Sequence, residues 1–291
     1  MEKFYITNLA DLPLLDPNSC VIGNFDGVHL GHKHLIEEAK KTGYKTSIIT
    51  FENLSKNNGY LSDLDQKAKF LEELEVDYLI IFPFRVVKLT FFNEFIKILK
   101  TLKVKYITCG EDFRFGYKRE GDIIDLKKHF KINIVNYLEV DRIKISSSLI
   151  KELLIDGDIV LANKFLGREY SIIGEVVHGN KIGKNLGYPT ANINYNGYLL
   201  PKNGVYLTKV KHNNKTYVGM ANIGYNPTLN AQLEKRFEVH IVDFNEMIYG
   251  DEIEVSFVKF LRDEKKFSSK EELISSLEET INICKNYQSM L

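Results

Sequence analysis

The chain has 291 residues, 44% of them hydrophobic and 27% charged, with 39 Lys+Arg against 39 Asp+Glu. That length holds two domains with substantial cores, and the balanced charge argues against a general binder of nucleic acid or acidic membrane, which would carry a basic excess. Cys20, Cys109 and Cys284 form no C-x-x-C pair, no apolar run reaches membrane-span length, and Met1-Glu2-Lys3-Phe4-Tyr5 lacks the basic-then-apolar pattern of a secretory signal, so the sequence predicts reduced thiols, no zinc and a cytoplasmic protein.

In the first half, short β-prone apolar runs lie at 20–24, 46–51, 77–82, 106–109 and 132–137. Helical patterns alternate with them, at 33–40, 63–75, 90–102 and 122–130. Such alternation implies parallel strands joined by right-handed crossovers and covered by helices. Ligands of such folds bind at the carboxyl ends of the strands. Ser62 followed by Asp65 resembles a capping box, with Ala68, Leu71 and Leu74 as the buried stripe behind it.

The first of these strands runs into Gly23-Asn24-Phe25-Asp26-Gly27-Val28-His29-Leu30-Gly31-His32. That is a strand, a glycine turn and a helix. Gly23, Gly27 and Gly31 permit sharp angles and close approach of a ligand. A helix N-terminus offers unpaired N–H groups and partial positive charge, which suit a phosphate. His29 and His32 stand where that phosphate would lie, and an imidazole can donate to it.

Two more segments fall at strand ends. In Cys109-Gly110-Glu111-Asp112-Phe113-Arg114-Phe115-Gly116, two aromatics flank an arginine and could wall a planar ligand. On these residues alone, phenylalanines packed on the core are the plainer reading. In Lys144-Ile145-Ser146-Ser147-Ser148-Leu149-Ile150-Lys151, three serines open a helix between two lysines. Hydroxyls and helix N–H groups suit a phosphate, although on these residues alone simple N-capping is the plainer reading.

Together these segments resemble the adenylyltransferase half of the bacterial bifunctional riboflavin kinase/FAD synthetase (FMN adenylyltransferase) family. Its members carry G-x-F-D-G-V-H-x-G-H, then G-x-D-F-R-F-G, then I-S-S-T-x-I-R, in this order. The resemblance implies a Rossmann-like nucleotidyltransferase domain with a parallel sheet. It implies that His29 and His32 contact the ATP phosphates and stabilise charge during adenylyl transfer. Gly23, Phe25, Asp26, Gly27, Gly31, Ser147, Ser148 and Lys151 would help bind ATP, and Phe113 and Phe115 would lie near the flavin. The chain departs from the family at Ser148 and Lys151, where Thr and Arg are usual; lysine keeps the charge but loses the planar fork. At 51–56 it lacks the usual F-x-P-H-P.

Residues 146–166 read as two short helices broken at Gly157, and the domains are expected at 1–166 and 167–291. Beyond 171 the pattern turns to alternating β-runs, at 171–178, 205–211, 216–222, 237–243 and 252–260. Asn213-Asn214 between two runs is a plausible hairpin turn. Many short strands suggest a closed or partly closed antiparallel barrel. A helix starting at Ser268/Ser269, with Leu273, Leu277, Ile281 and Cys284 as its stripe, is expected to pack on it.

The stretch Gly174-Glu175-Val176-Val177-His178-Gly179-Asn180-Lys181-Ile182-Gly183-Lys184-Asn185-Leu186-Gly187-Tyr188-Pro189-Thr190-Ala191-Asn192 is the informative one. Its glycines and lysines can wrap a phosphate chain through backbone N–H groups. Thr190 and Asn192, two apart, share a face of an extended segment and offer neutral oxygens of the kind Mg²⁺ accepts. Glu238 shares its strand face with His240, opposite Phe237, Val239 and Ile241; alone, that reads as a solvated face.

This half resembles riboflavin kinases, whose pattern is G-x-V-x-x-G-x-x-x-G-R-x-L-G-x-P-T-A-N. Lys184 and Asn226 replace two usual arginines. The resemblance implies a kinase barrel in which Thr190 and Asn192 hold Mg²⁺. It implies that Gly179, Lys181, Gly183, Lys184 and Gly187 bind the ATP phosphates. Arg262 would contact the flavin, and Glu238 would take the proton from the ribityl 5′-hydroxyl. The implied function is phosphorylation of riboflavin to FMN, then adenylylation of FMN to FAD with release of pyrophosphate. The alternative is a riboflavin kinase only, with a weakened or inactive adenylyltransferase domain. The partners expected are small-molecule flavins and ATP, with Mg²⁺, in a monomer or weak oligomer without nucleic acid or membrane.

Overall fold

Strands β1 (Glu2–Tyr5), β2 (Asn18–Ile22), β3 (Lys45–Phe51), β4 (Tyr78–Phe82), β5 (Val104–Gly110) and β6 (Lys131–Val135) pair in parallel in the order β1-β4-β3-β2-β5-β6. The computed structural model describes residues 1–52, 59–83, 86, 90–179, 187–226 and 234–290. Its contacts form two compact units, Met1–Ser147 and Ser148–Leu291.

The sheet is parallel because helices carry the chain between its strands. These are α1 (Leu30–Lys40), α2 (Leu64–Glu73), α3 (Phe92–Thr101) and α4 (Ile123–Lys127). Alternate residues of the central strands enter different cores. Val21, Ile48, Leu79 and Ile81 pack with Ile36, Ala39, Ala68 and Leu71. Cys20, Ile22, Ile49 and Ile80 pack with Phe95, Leu99 and Leu126. Both faces of the sheet are therefore buried, as a parallel sheet requires. From β2 the chain passes to β3 on one side, while β5 pairs on the other. That reversal leaves a crevice beyond the carboxyl ends of β2 and β5.

Edge strand β1 is absent from the sequence expectation. Its four residues are mostly exposed and carry no apolar run, so only the register with Tyr78–Ile81 reveals it. The helix cap is displaced by one residue. Asp63, not Ser62, caps α2, accepting from Gln66 N at 2.7 Å. The Ser62 hydroxyl instead accepts from Gly27 N at 3.1 Å, tying α2's entry to the histidine turn.

A short hairpin, β7 (Glu139–Val140) and β8 (Ile143–Lys144), leads to α5 (Ser147–Asp156) and α6 (Ile159–Leu166), broken at Gly157 with φ +87° as expected. Asn163 on α6 donates from Nδ2 to Phe257 O at 2.8 Å, and Lys202 N donates to Leu154 O at 2.9 Å, so both helices bind into the second unit.

That unit is a closed antiparallel barrel of β9 (Tyr170–Val177), β10 (Ala191–Asn194), β11 (Gly204–His212), β12 (Lys215–Asn226), β13 (Glu234–Ile241) and β14 (Glu252–Arg262), ordered β10-β13-β12-β11-β14-β9. Rings of Tyr170, Tyr206 and Phe237 meet Phe257 at 5.9, 5.3 and 5.6 Å in its interior. Asn213 and Asn214, at φ +46° and +61°, form the expected two-residue turn; positive φ at both positions matches the twist of the strands it joins. Strand β10 was not anticipated. It is four residues long and overlaps only the end of the glycine-rich stretch, yet it closes the barrel by pairing with both β9 and β13.

Helix α7 (Lys270–Gln288) is capped by Ser269, which accepts from Glu272 N. Ile281 and Cys284 pack on Val205, Leu207, Val218 and Met220 of the outer barrel face. Leu277 of the expected stripe packs against the same cluster, and with Leu273 it also lines a cavity between helix and barrel.

Candidate active sites

In the first unit, the turn after β2 is held by its own side chains. Phe25 and Val28 have φ +50° and +36°, conformations that cost a non-glycine residue ~1–2 kcal/mol. Both are buried against Ile36, Ile48 and Leu79, and burial of a side chain of this size contributes ~1.5–3 kcal/mol. Asp26 accepts from Leu61 N at 2.7 Å and Ser62 N at 3.4 Å. Its carboxylate thus anchors the turn from behind. Its carbonyl accepts from the Ser147 hydroxyl at 2.9 Å, which brings the serine segment to the same place.

His29 caps α1: its Nδ1 accepts from His32 N at 3.3 Å. The two imidazoles stack with centroids 3.7 Å apart, and Phe25 lies 4.8 Å from His32. A cavity of about 340 Å³ opens over them, a size suited to a small-molecule ligand. Gly23, Phe25, His29, Gly31, His32, Phe113 and Ser147 of the expected residues line it. Asp26 and Gly27 support it from outside, and Phe115 is buried behind Phe113, 6.2 Å away in a stacked arrangement. Ser148 and Lys151 lie in the first turns of α5, outside the cavity lining. Arg114 turns to Asp122 at 3.4 Å instead of facing a ligand.

Among the lining residues given no role from the sequence are Asp112, Tyr137 and Lys144. Lys144 Nζ sits 3.0 Å above the Tyr137 ring centroid. Burial, with Asp112 beside it, pushes the Tyr137 phenol up to about 12, so it stays a neutral donor. Tyr137 ends the run predicted at 132–137, and its position at a strand's carboxyl end was the available signal.

In the second unit, two cavities meet at Thr190, which lines both. One, of about 280 Å³, is largely apolar and includes Val176, Pro189, Val239, Ile248 and Tyr249. The other, of about 220 Å³, lies between the outer barrel face and α7, with Asn222, Arg236, Glu238, Arg262, Phe267 and Leu277 in its wall. The Glu238 face is therefore covered by a helix, and the side chain is 18% exposed. Arg236 donates from a terminal guanidinium nitrogen to Glu238 Oε1 at 2.9 Å.

Register explains the grouping. Asn192 on β10, Glu238 on β13 and Asn222 on β12 are direct partners, so they form one row across three strands. Directly opposed Cβ atoms stand ~4.5–5.5 Å apart. Arg262 Nε donates to Thr280 Oγ1 on α7 at 3.4 Å. Asn222 and Arg236 were not expected at the site; Asn222 is visible only through its register with Glu238. Gly179 approaches the Asn192 carboxamide so closely that an added Cβ would displace it. Gly187, at φ +87°, stands at the far end of that loop. Lys181, Gly183 and Lys184, the Asn226 side chain and residues 53–56 lie outside the described residues.

Family models match the chain in two stretches, FAD synthetase over residues 14–149 and riboflavin kinase over 166–288. A bifunctional riboflavin kinase/FMN adenylyltransferase of Buchnera aphidicola subsp. Schizaphis graminum is 38% identical over 98% of this chain and 99% of that protein. One of Listeria monocytogenes is 39% identical over 88% of each. A solved structure from Streptococcus pneumoniae, named a macrolide-efflux protein, is 30% identical with a TM-score of 0.90, covering 98% of this chain and 99% of that one. The efflux name belongs to that protein; among the described residues here, no helix is long and apolar enough to cross a membrane.

Proposed function

The chain belongs to the bifunctional riboflavin kinase/FMN adenylyltransferase family, and on that premise we propose how its residues divide the two reactions. The protein is a transferase that phosphorylates riboflavin to FMN and adenylylates FMN to FAD. Residues 150–165 belong to neither family model, and the riboflavin kinase match beginning at residue 166 supports our proposed functional division at 166/167.

In the barrel, riboflavin occupies the cavity between the outer face and α7, with Arg262 and the apolar wall against the ring. ATP occupies the apolar cavity on the other side of Thr190. The carrying observation is that Thr190 lines both cavities, with Glu238 in the wall of one. The ribityl hydroxyl and the terminal phosphate then meet at this boundary. Glu238 takes the hydroxyl proton as the oxygen attacks the γ-phosphorus and ADP leaves. The loop 179–187 wraps the phosphates.

Among the described residues there is no group of three or more His, Cys, Asp or Glu side chains placed to hold a metal ion. The Thr190 hydroxyl and the Asn192 carboxamide are hard neutral oxygens beside Glu238, a set that fits Mg²⁺ shared with substrate phosphates. Bound there, Mg²⁺ would neutralise phosphate charge.

In the first unit, the FMN phosphate attacks the ATP α-phosphorus in line and pyrophosphate leaves. No enzyme nucleophile is needed. The N-terminal amides of α1, His29 and His32 stabilise the charge, with Ser147 and Lys144 along the wall and Phe113 at the flavin. The buried thiols of Cys20, Cys109 and Cys284 support a reducing, cytoplasmic setting. A monomer or weak oligomer is proposed. Supplying riboflavin and FMN separately, with ATP, tests the halves one at a time.

A further inference from the structure

Pairing between β10 and β13 stops at Ala191↔Val239. By the same register the next pair would be Thr190 and His240, and beyond it stands Pro189, which has no N–H to give a ladder. The β10–β13 ladder therefore does not continue into the residues before β10. A side chain takes over: His240 Nδ1 lies 2.8 Å from Pro189 O. A carbonyl only accepts, so Nδ1 carries the proton and donates. The ring is 9% exposed and packs edge-on against Tyr188 at 5.8 Å, so its rotamer is fixed from both sides of the proline.

His240 also shares the face of β13 that presents Glu238 two residues earlier. One strand thus carries the proposed base and the clamp on the neighbouring Thr190. We propose that His240 is a positioning residue for phosphoryl transfer: its bond to Pro189 O fixes Thr190, and with it the ATP phosphates, in register with Glu238. This rests on the roles given above to Glu238 and Thr190. Burial holds the His240 imidazole below its ordinary value, so it stays neutral through the physiological range and the Nδ1–H bond is maintained.

The test compares His240→Asn with His240→Leu in the full chain. The Asn amide reaches the Nδ1 position and keeps the donor. Leu keeps the bulk against Tyr188 and leaves Pro189 O without its partner. Where His240→Leu does not fold, His240→Gln replaces it, because its amide reaches the Nε2 position instead. Riboflavin phosphorylation is followed at varied ATP, and riboflavin affinity by quenching of its fluorescence. The expected result is a rise of about tenfold in the KM for ATP for Leu or Gln, the scale of one lost buried hydrogen bond. Riboflavin affinity stays within about twofold, and Asn recovers most of the loss. An unchanged KM for ATP with a lowered kcat, or an Asn variant no better than Leu, would overturn the proposal. Glu238→Gln is assayed alongside. If it abolishes phosphorylation while the His240 variants leave the KM unmoved, only the His240 role fails; if it retains full kinase activity, the Glu238 reading itself fails.

Discussion

Glu238 on β13 and Asn192 on β10 are register partners, one residue directly across from the other. This pairing puts an acidic side chain beside the oxygens proposed for Mg²⁺, on a face roofed by α7.

Glu238→Gln keeps the shape and the acceptor for Arg236 but loses the base. Riboflavin phosphorylation should fall by ~10²–10⁴-fold, the usual worth of a general base. FAD formation from supplied FMN should continue at the wild-type rate. Chromatography of the flavins from both reactions checks this, and an equal loss in both would contradict it.

The histidines of the first unit differ in what else they do. His29 caps α1 as well as facing the cavity, whereas His32 contributes its backbone N–H to that cap. Both His29→Ala and His32→Ala should abolish FAD formation and leave FMN formation intact. His29→Ala should also lose ~1 kcal/mol of stability, the value of an N-cap. His29→Asn should restore that stability without restoring FAD synthesis. Urea unfolding beside product analysis reads both effects, and a fully active His29→Asn would show that the residue serves only as a cap.

Much of this was legible in sequence because local chemistry demanded it. Gly157 breaks a helix pair, Asn213-Asn214 turns a hairpin, and the glycine turn from Gly23 to Gly31 places two histidines at a helix start. What stayed hidden depends on partners far along the chain. Strand β10 is a strand only because β9 and β13 flank it. Ser62 resembles a cap, yet its hydroxyl serves Gly27. Glu238 reads as solvated until α7 folds over its face, and Leu273 and Leu277 read only as packing although they also line a cavity. Asp26 sits in a phosphate-like turn, but its carboxylate faces backbone amides.

Lys67 on α2 has no exposed surface. Burial pushes its ammonium down to about 8, against the attraction of Asp26 and Asp63, whereas the unfolded chain holds an ordinary lysine near 10.5. Between those values the unfolded state binds a proton that the folded state does not, so stability rises with pH across that window. Below pH 8 both states are charged and the full cost of the buried cation is present. Relative to Lys67→Met, the wild type should gain on the order of 3 kcal/mol from pH 8 to 10.5. Urea unfolding at a series of pH values measures it; parallel curves for the two proteins would contradict it.

The most direct test of the whole account is product analysis of the purified wild-type protein with ATP, Mg²⁺ and either riboflavin or FMN. The account predicts FMN and then FAD from riboflavin, and FAD from FMN. FMN accumulating without FAD from either start would contradict the roles of His29 and His32. FAD from FMN with riboflavin untouched would contradict those of Thr190, Asn192 and Glu238, and no product from either flavin would contradict both.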